Sequence, residues 1–514
     1  MPNGRKKTVT TTESMENGYR KRLEDKHFTY SLQENVMLIR ELFRDVDLMQ
    51  YRALETEGGY GEFYLIWADG VVDSARIDEY IIKPIFLSPP PAEDKAPLDF
   101  LVRQVLQING IQKSGDIFEI VKALSYGECL LLMEGEQEGL LLDTKGFTTR
   151  GIAEPDGEKI LSGPREGFSE SLMQNLSLLR RKLRTSELKL KYYSLGQRSN
   201  TQLCIAYMDG LMKQEILDEL YERLGKVDID AVLDANYLNE LIRDNRRSLF
   251  RSTGYTERPD IIAAKLLEGR IAIFVDGSPV VLTIPYLFVE NFQSNEDYYT
   301  DYQYGTIARL LRIFGFFLAI IIPGLYVAIL SFHQEMLPTI LLIRIAVDSR
   351  NVPFPTFLET FALLIMFDVL REAGIRMPTG VGQALSIVGA LVVGSAAVEA
   401  DLVSANVIIV TAASGITSLL VSKLNAAIPI VRNLLLFLSA ALGFYGLILG
   451  LVVLCVHMLK LESFGVPQVG WDTTLRYQNV KDTFVRGPFW SMIERPNGLS
   501  KDKVRMHPPK GGSS

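Results

Sequence analysis

The chain has 514 residues, 61 acidic against 54 basic, giving a net charge of −7, with 47% hydrophobic and 22% charged residues. That length allows two or more domains, and the acidic balance leaves no footprint for nucleic acid. Cys129, Cys204 and Cys455 lie far apart without a CxxC pair, and His27, His333, His457 and His507 are equally scattered, so disulfides, a metal centre and a cofactor are not expected.

In chain order, residues 1–30 read as a disordered tail: MPNGRKK is basic but no apolar segment follows it, so it is no signal peptide. Two lobes come next, at 31–150 and 151–304. An offset of 140 residues pairs SLQENVMLIR (31–40) with SLMQNLSLLR (171–180) and LIWADGVVDSARIDE (65–79) with IAYMDGLMKQEILDE (205–219). Asn35/Asn175, Arg40/Arg180, Asp69/Asp209 and Gly70/Gly210 are identical pairs, and polar residues held in register point to tandem duplication. Each lobe predicts an amphipathic helix (Ser31 to Phe43 in the first), an apolar strand, a tight Asp-Gly turn and a second helix near Ile77–Ile82 or Ile216–Leu224. A later helix then leads to a strand ending in Glu134-Gly135 or Asp276-Gly277. No nucleotide loop surrounds these glycines and no Ser/His/Asp or Cys/His set emerges. The lobes therefore read as binding and assembly modules, not as an enzyme.

Charge collapses near Ile313. IFGFFLAIIIPGLYVAIL (313–330) carries none, and between Val381 and Leu459 the charged residues are Glu399, Asp401, Lys423 and Arg432. Residues 305–460 are thus expected to form a helical membrane domain, and 461–514 a basic C-terminal tail. Tyrosines in NEDYYTDYQYG (295–305) suit the headgroup level, and Arg309 and Arg312 anchor the first span, about 310–332. Pro323 within it frees a backbone carbonyl that a neighbouring helix or water must satisfy. MLPTILLIRIAV (336–347) is short and reads as re-entrant or interfacial. Further spans are expected at 354–370, ending at the topology anchors Arg371 and Arg376, at 383–398, at 405–421 and at 434–459, the last broken by Gly443 and Gly446. Five crossings would leave the basic tail outside, so either 336–347 crosses or the last segment turns back.

Gly382, Ser386, Ala390 and Gly394 recur at helical stride, as do Gly446 and Gly450, a pattern for close helix packing. Glu359 lies in an apolar helix without a basic residue one turn away. It is a candidate, with Thr360, for an ion pathway, or else pairs with Arg344 or Arg350.

GPREGFSESLMQNLSLLRRKL, LGQRSNTQLCIAYMDGL, VDGSPVVLTIP, FVENFQSNEDYY, PGLYVAILSFHQEMLPTILL, VPFPTFLETFALLIMFDVLREAGIRMP and SFGVP carry a resemblance to the A subunits of the spore germination receptor (GerA) family, over most of residues 31–467. Asp368 departs from the family's more usual glutamate, and GSAAVEADLVSAN is a loose version of its GQAAV stretch. The resemblance implies an α/β N-terminal region of two tandem duplicated lobes, followed by an all-α multi-span membrane domain in the spore inner membrane, with the N-terminal region cytoplasmic. It further implies homo-oligomers, pentamers, around a cation pore in contact with membrane lipid. The partners it implies are a transporter-like B subunit that senses nutrient and a lipoprotein C subunit, with monovalent cations passing when nutrient binds. A family channel that amplifies germination without sensing nutrient, a secondary transporter and a non-conducting scaffold are the alternatives.

Overall fold

The computed structural model describes residues 20, 23–55, 62–88, 97–146, 158, 160, 162–376, 394–469, 481–496 and 498–505. They divide into two units: Met1–Arg243, Thr253–Pro285 and Trp490–Ser514 in one, Asp244–Ser252 and Tyr286–Phe489 in the other.

In the first unit, helix α1 (Leu32–Leu42) starts where the Ser31 hydroxyl accepts the Glu34 amide at 3.5 Å, and it buries Leu32, Val36 and Ile39 along one face. Strands β1 (Met49–Glu55), β2 (Glu62–Ala68) and β3 (Ile111–Ser114) follow, then helix α2 (Ile117–Ser125) and strands β4 (Cys129–Met133) and β5 (Gly139–Leu142). The strands form one antiparallel sheet in the order β1-β2-β4-β5-β3. Every residue of β4 and β5 is buried because both faces are covered. Leu130, Leu132 and Leu141 face α1 and α2, while Leu131, Leu140 and Leu142 face helical segments at 74–87 and 97–105.

The second lobe repeats the plan. It runs α3 (Leu172–Lys182), β6 (Leu188–Leu195), β7 (Thr201–Met208), α4 (Gln214–Gly225), α5 (Ala235–Ile242), β8 (Gly254–Thr256), α6 (Pro259–Leu267), β9 (Ile271–Val275) and β10 (Val281–Ile284). Its sheet order, β6-β7-β9-β10-β8, is the first sheet's order again. The likeness extends to atoms. Asn35 accepts the Thr29 amide at 2.8 Å and donates to the Thr29 carbonyl at 2.7 Å; Asn175 does both to Ser169, at 2.8 and 2.6 Å. Glu134 accepts the Leu32 amide at 2.7 Å, and Asp276 accepts that of Leu172 at 3.1 Å. Gly70 and Gly210 occupy the left-handed region at φ 75° and 78°, which the Asp-Gly turns require.

The lobes share one core, in which Ile39 and Leu124 join Leu176, Leu179, Ile262 and Phe274. They also exchange backbone bonds, Asp47 N–H to the Leu190 carbonyl at 3.0 Å and Leu190 N–H to the Asp45 carbonyl at 3.1 Å. The duplicates diverge at one pair. Arg40 is exposed, its guanidinium 4.9 Å from the centre of the Tyr51 ring, whereas Arg180 is fully buried with Nε and Nη2 unpartnered. Burial pulls the Arg180 pKa down to about 10, while its Nη1 donates to the Thr185 carbonyl at 3.4 Å.

Part of the C-terminal stretch folds with this unit. Lys501 N–H and the Ser500 hydroxyl donate to the Leu211 carbonyl at 2.9 and 3.0 Å, Arg495 Nε donates to that of Leu267 at 2.8 Å, and Leu499 is fully buried.

The second unit is helical: α7 (Tyr302–Phe332), α8 (Thr339–Asp348), α9 (Thr356–Arg376), α10 (Ala405–Leu419), α11 (Ala427–Leu442) and α12 (Phe444–Leu459). Among the described residues α7 alone is long and apolar enough to cross a membrane, while α10, α11 and α12 are shorter apolar helices. A 16-residue helix reaches about 24 Å, against a hydrocarbon core of roughly 30 Å. The expected span at 434–459 is therefore two helices. At Gly443, φ 64°, the chain reverses, and Gly446 and Gly450 of α12 lie against Leu438 and Leu435 of α11. Ser463 to Val466 then form a tight hairpin in which the Ser463 hydroxyl accepts the Tyr286 amide at 2.9 Å and donates to the Ser252 carbonyl at 2.6 Å.

Candidate functional site

A chain of polar groups runs through the apolar interior of the helical unit. It begins at Pro323. Proline has no N–H, so the Ala319 carbonyl in the same helix lacks its usual partner. The Ser414 hydroxyl of α10 donates to that carbonyl at 2.7 Å. Ser414 in turn accepts Arg432 Nη1 of α11 at 3.3 Å, and Arg432 Nη2 reaches the Asp368 carboxylate of α9 at 2.7 Å. Four helices are joined in one relay, in which Ser414 and Arg432 are fully buried. A charge so placed is tolerable only when paired and hydrogen-bonded.

Glu359 stands near the start of α9, 3% exposed, and accepts the Ser404 amide at 3.0 Å. Ser404 is the N-cap residue of α10 and makes no side-chain cap of its own. Glu359 thus supplies from another helix the negative charge that a helix N-terminus favours. Among the described residues its carboxylate meets this amide rather than Arg344 or Arg350. Thr360 beside it is fully buried, its hydroxyl donating to the Thr356 carbonyl at 2.7 Å.

A second cluster lies at the start of α7. Arg309 is fully buried, with Nε 3.4 Å from Asp297, and Nη1 2.6 Å from the carbonyl and 3.2 Å from the carboxylate of Asp482. Arg312 donates to Asp297 at 2.5 and 3.0 Å, and Tyr298 donates its hydroxyl to Asp482 at 2.8 Å. These two arginines are cross-braced by acidic partners and are not extended into solvent. Arg371 sits 3.6 Å from Asp368, and Arg376 pairs with Glu372 at 2.8 Å on the helix surface.

Of the glycine-stride residues, Gly382, Ser386 and Ala390 lie outside the described residues. A Cβ on Gly394 would meet Ile408 at 3.9 Å, an ordinary contact. On Gly446 it would fall 2.0 Å from the Leu438 carbonyl oxygen and on Gly450 2.5 Å from Leu435 Cδ2, so both pack against this chain's own α11. Sequence reasoning missed Ser414, Arg432, Asp297 and Asp482. For Arg432 a signal exists: Ile428, Leu435 and Leu436, at i−4, i+3 and i+4, are all apolar and mark its side as an inward face.

The sequence model of the family described as Bacillus/Clostridium GerA spore germination protein matches residues 37–498. The chain is 36% identical over 480 residues to the "Uncharacterized membrane protein YfkQ" of Bacillus subtilis (strain 168), covering 93% of each chain. It is 39% identical over 444 residues to spore germination protein KA of the same organism, covering 86% of this chain and 81% of that one. Among solved structures, the N-terminal domain of the A subunit of the Bacillus megaterium spore germinant receptor GerK3 is 27% identical and covers 51% of this chain and 98% of that one, with a TM-score of 0.42.

Proposed function

The chain belongs to the GerA family of spore germination proteins, and from that premise we propose that it is a receptor A subunit whose helical unit is embedded in the spore inner membrane and opens a path for monovalent cations when nutrient is sensed. The lobes lie in the cytoplasm on this reading, in line with the Arg309 and Arg312 side of α7 being the positive one. Copies assemble around the path, as a pentamer, with a transporter-like B subunit sensing nutrient and a lipoprotein C subunit completing the receptor. No catalytic step is involved.

The observation that supports this reading is the buried relay Asp368–Arg432–Ser414–Ala319, because ionised side chains inside apolar helices mark functional positions in membrane proteins. The test is cation flux from vesicles holding the chain, with and without its partner chains. Flux that needs this chain and rises with nutrient in the complete set supports the proposal; vesicles that stay tight in every combination remove it.

A second reading has one observation in its favour. Glu359 and Asp368 are both engaged within the chain, by the Ser404 amide and by Arg432. A subunit that transmits a signal through a braced helix bundle without conducting would look the same. Flux carried by the partner chains alone would favour it.

A further inference from the structure

Between the C-terminal part of α9 and the start of α11 lies a cavity of about 540 Å³. Ile365, Asp368, Arg371, Glu372, Arg376 and Pro429 line it. We infer that this cavity holds the phosphate of an anionic phospholipid headgroup, an inference that rests on the membrane reading above.

The charges favour an anion. Two guanidinium groups, Arg371 and Arg376, and two carboxylates, Asp368 and Glu372, line the cavity, and the fully buried Arg432 stands behind Asp368 and offsets its charge. Asp368 Oδ2 is taken by Arg432 at 2.7 Å, while its Oδ1 is buried without a hydrogen bond, and Glu372 is taken by Arg376 at 2.8 Å. Arg371 is left with a loose 3.6 Å approach to Asp368, and its Nη1 is buried without a hydrogen-bond partner. Nε of Arg432, behind Asp368, is buried and unpartnered too. Unmade bonds on buried donors are costly, and a phosphate oxygen is the acceptor that guanidinium geometry suits best.

The surroundings favour a lipid over a free anion. Ile365, Met366 and Val369 are 42%, 42% and 57% exposed, so an apolar strip runs along α9 from the charged end. A molecule with a charged head and an acyl chain fills both parts. The cavity also lies at the right depth. Arg432 sits near the start of α11, whose first turn, with Ala427 and Ile428, packs with Phe288 and Phe292 just ahead of α7. That is the end of the unit where α7 begins, so the cavity opens at the cytoplasmic headgroup level, where basic pockets between helices take acidic lipids.

The full chain is reconstituted into phosphatidylcholine vesicles with and without phosphatidylglycerol, floated on a density gradient, extracted in mild detergent and weighed by native mass spectrometry. The wild type is expected to keep phosphatidylglycerol over phosphatidylcholine and to hold it against excess inorganic phosphate. Arg371→Gln and Arg376→Gln should each lower that retention by about fivefold, while Arg371→Lys keeps most of it. Arg376 is exposed, so its variant tests the site without disturbing the core. Equal retention by wild type and both glutamine variants overturns the inference, and so does displacement by inorganic phosphate. A chain that fails to float overturns the membrane reading itself; one that floats without lipid preference overturns this inference alone.

Discussion

The hydroxyl of Ser414 donates at 2.7 Å to the carbonyl of Ala319, the backbone acceptor that Pro323 leaves without a helical amide. Ser414→Ala removes that donor and should lower stability by about 1–3 kcal/mol. Pro323→Ala returns an amide to α7, so Ser414→Ala made on that background should lose less. Thermal unfolding in detergent of the wild type, both singles and the double gives the coupling. Additive losses would contradict the link.

Arg432, fully buried, and Asp368, partly exposed, form a pair at 2.7 Å. Asp368→Leu leaves Arg432 charged and fully buried and should cost about 3–5 kcal/mol, and adding Arg432→Met should recover much of it; Arg432→Met alone leaves Asp368 beside Arg371 at 3.6 Å and should cost less. The same unfolding assay reads all three. A double variant no better than Asp368→Leu alone would mean that the pair is not what holds α9 to α11.

Glu359 separates two roles by two substitutions. Glu359→Gln keeps an oxygen for the Ser404 amide but drops the charge; Glu359→Ala removes both. If the residue serves only as a cap, glutamine is close to neutral and alanine lowers stability by about 0.5–2 kcal/mol. If its charge also draws cations, glutamine lowers cation flux from vesicles while leaving the melting temperature unchanged.

Asn35 and Asn175 make the same paired bonds to Thr29 and Ser169. Asn35→Ala should speed hydrogen exchange at the Thr29 amide, and Asn175→Ala at the Ser169 amide, each without touching the other. Loss of protection in both lobes from one substitution would show that the duplicates unfold as one body.

Gly446 and Gly450 differ in what a methyl group would strike. At Gly446 it meets a backbone oxygen at 2.0 Å, at Gly450 a leucine side chain at 2.5 Å that is able to turn away. Gly450→Ala should cost about 1–3 kcal/mol, the usual range for overpacking, and Gly446→Ala more. Detergent melting curves of the two variants check the order.

The duplicated lobes were legible because polar residues with structural duties, Asn35 and Asn175 and the Asp-Gly turns, leave a sequence trace that apolar periodicity cannot. Edge strand β1 was not legible: MQYRALE buries two of its seven positions and shows no clean alternation. The fate of Pro323 could be anticipated in kind, since its freed carbonyl had to find a donor, but nothing local named Ser414, 95 residues away. Arg432 falls between the expected spans at 405–421 and 434–459 yet lies inside α11, because a charge at a helix end and one a turn and a half inside look alike in a linear scan. The direction of the last segment was open as well, until Gly443 proved to be a point of reversal.

The docking of Arg495, Ser500 and Lys501 onto the second lobe bears on the order in which that lobe is assembled. Gly269, at φ 86°, lies so close to Ser500 that a methyl group there would sit 2.9 Å from the serine Cβ. That surface is covered by residues translated after every described helix of the second unit. The nascent lobe must wait with its Leu211 and Leu267 carbonyls uncovered while the rest is synthesised. A stop codon before position 495 would strand it in that unfinished state, and a bulky insertion too near Val504 would hinder the same docking step.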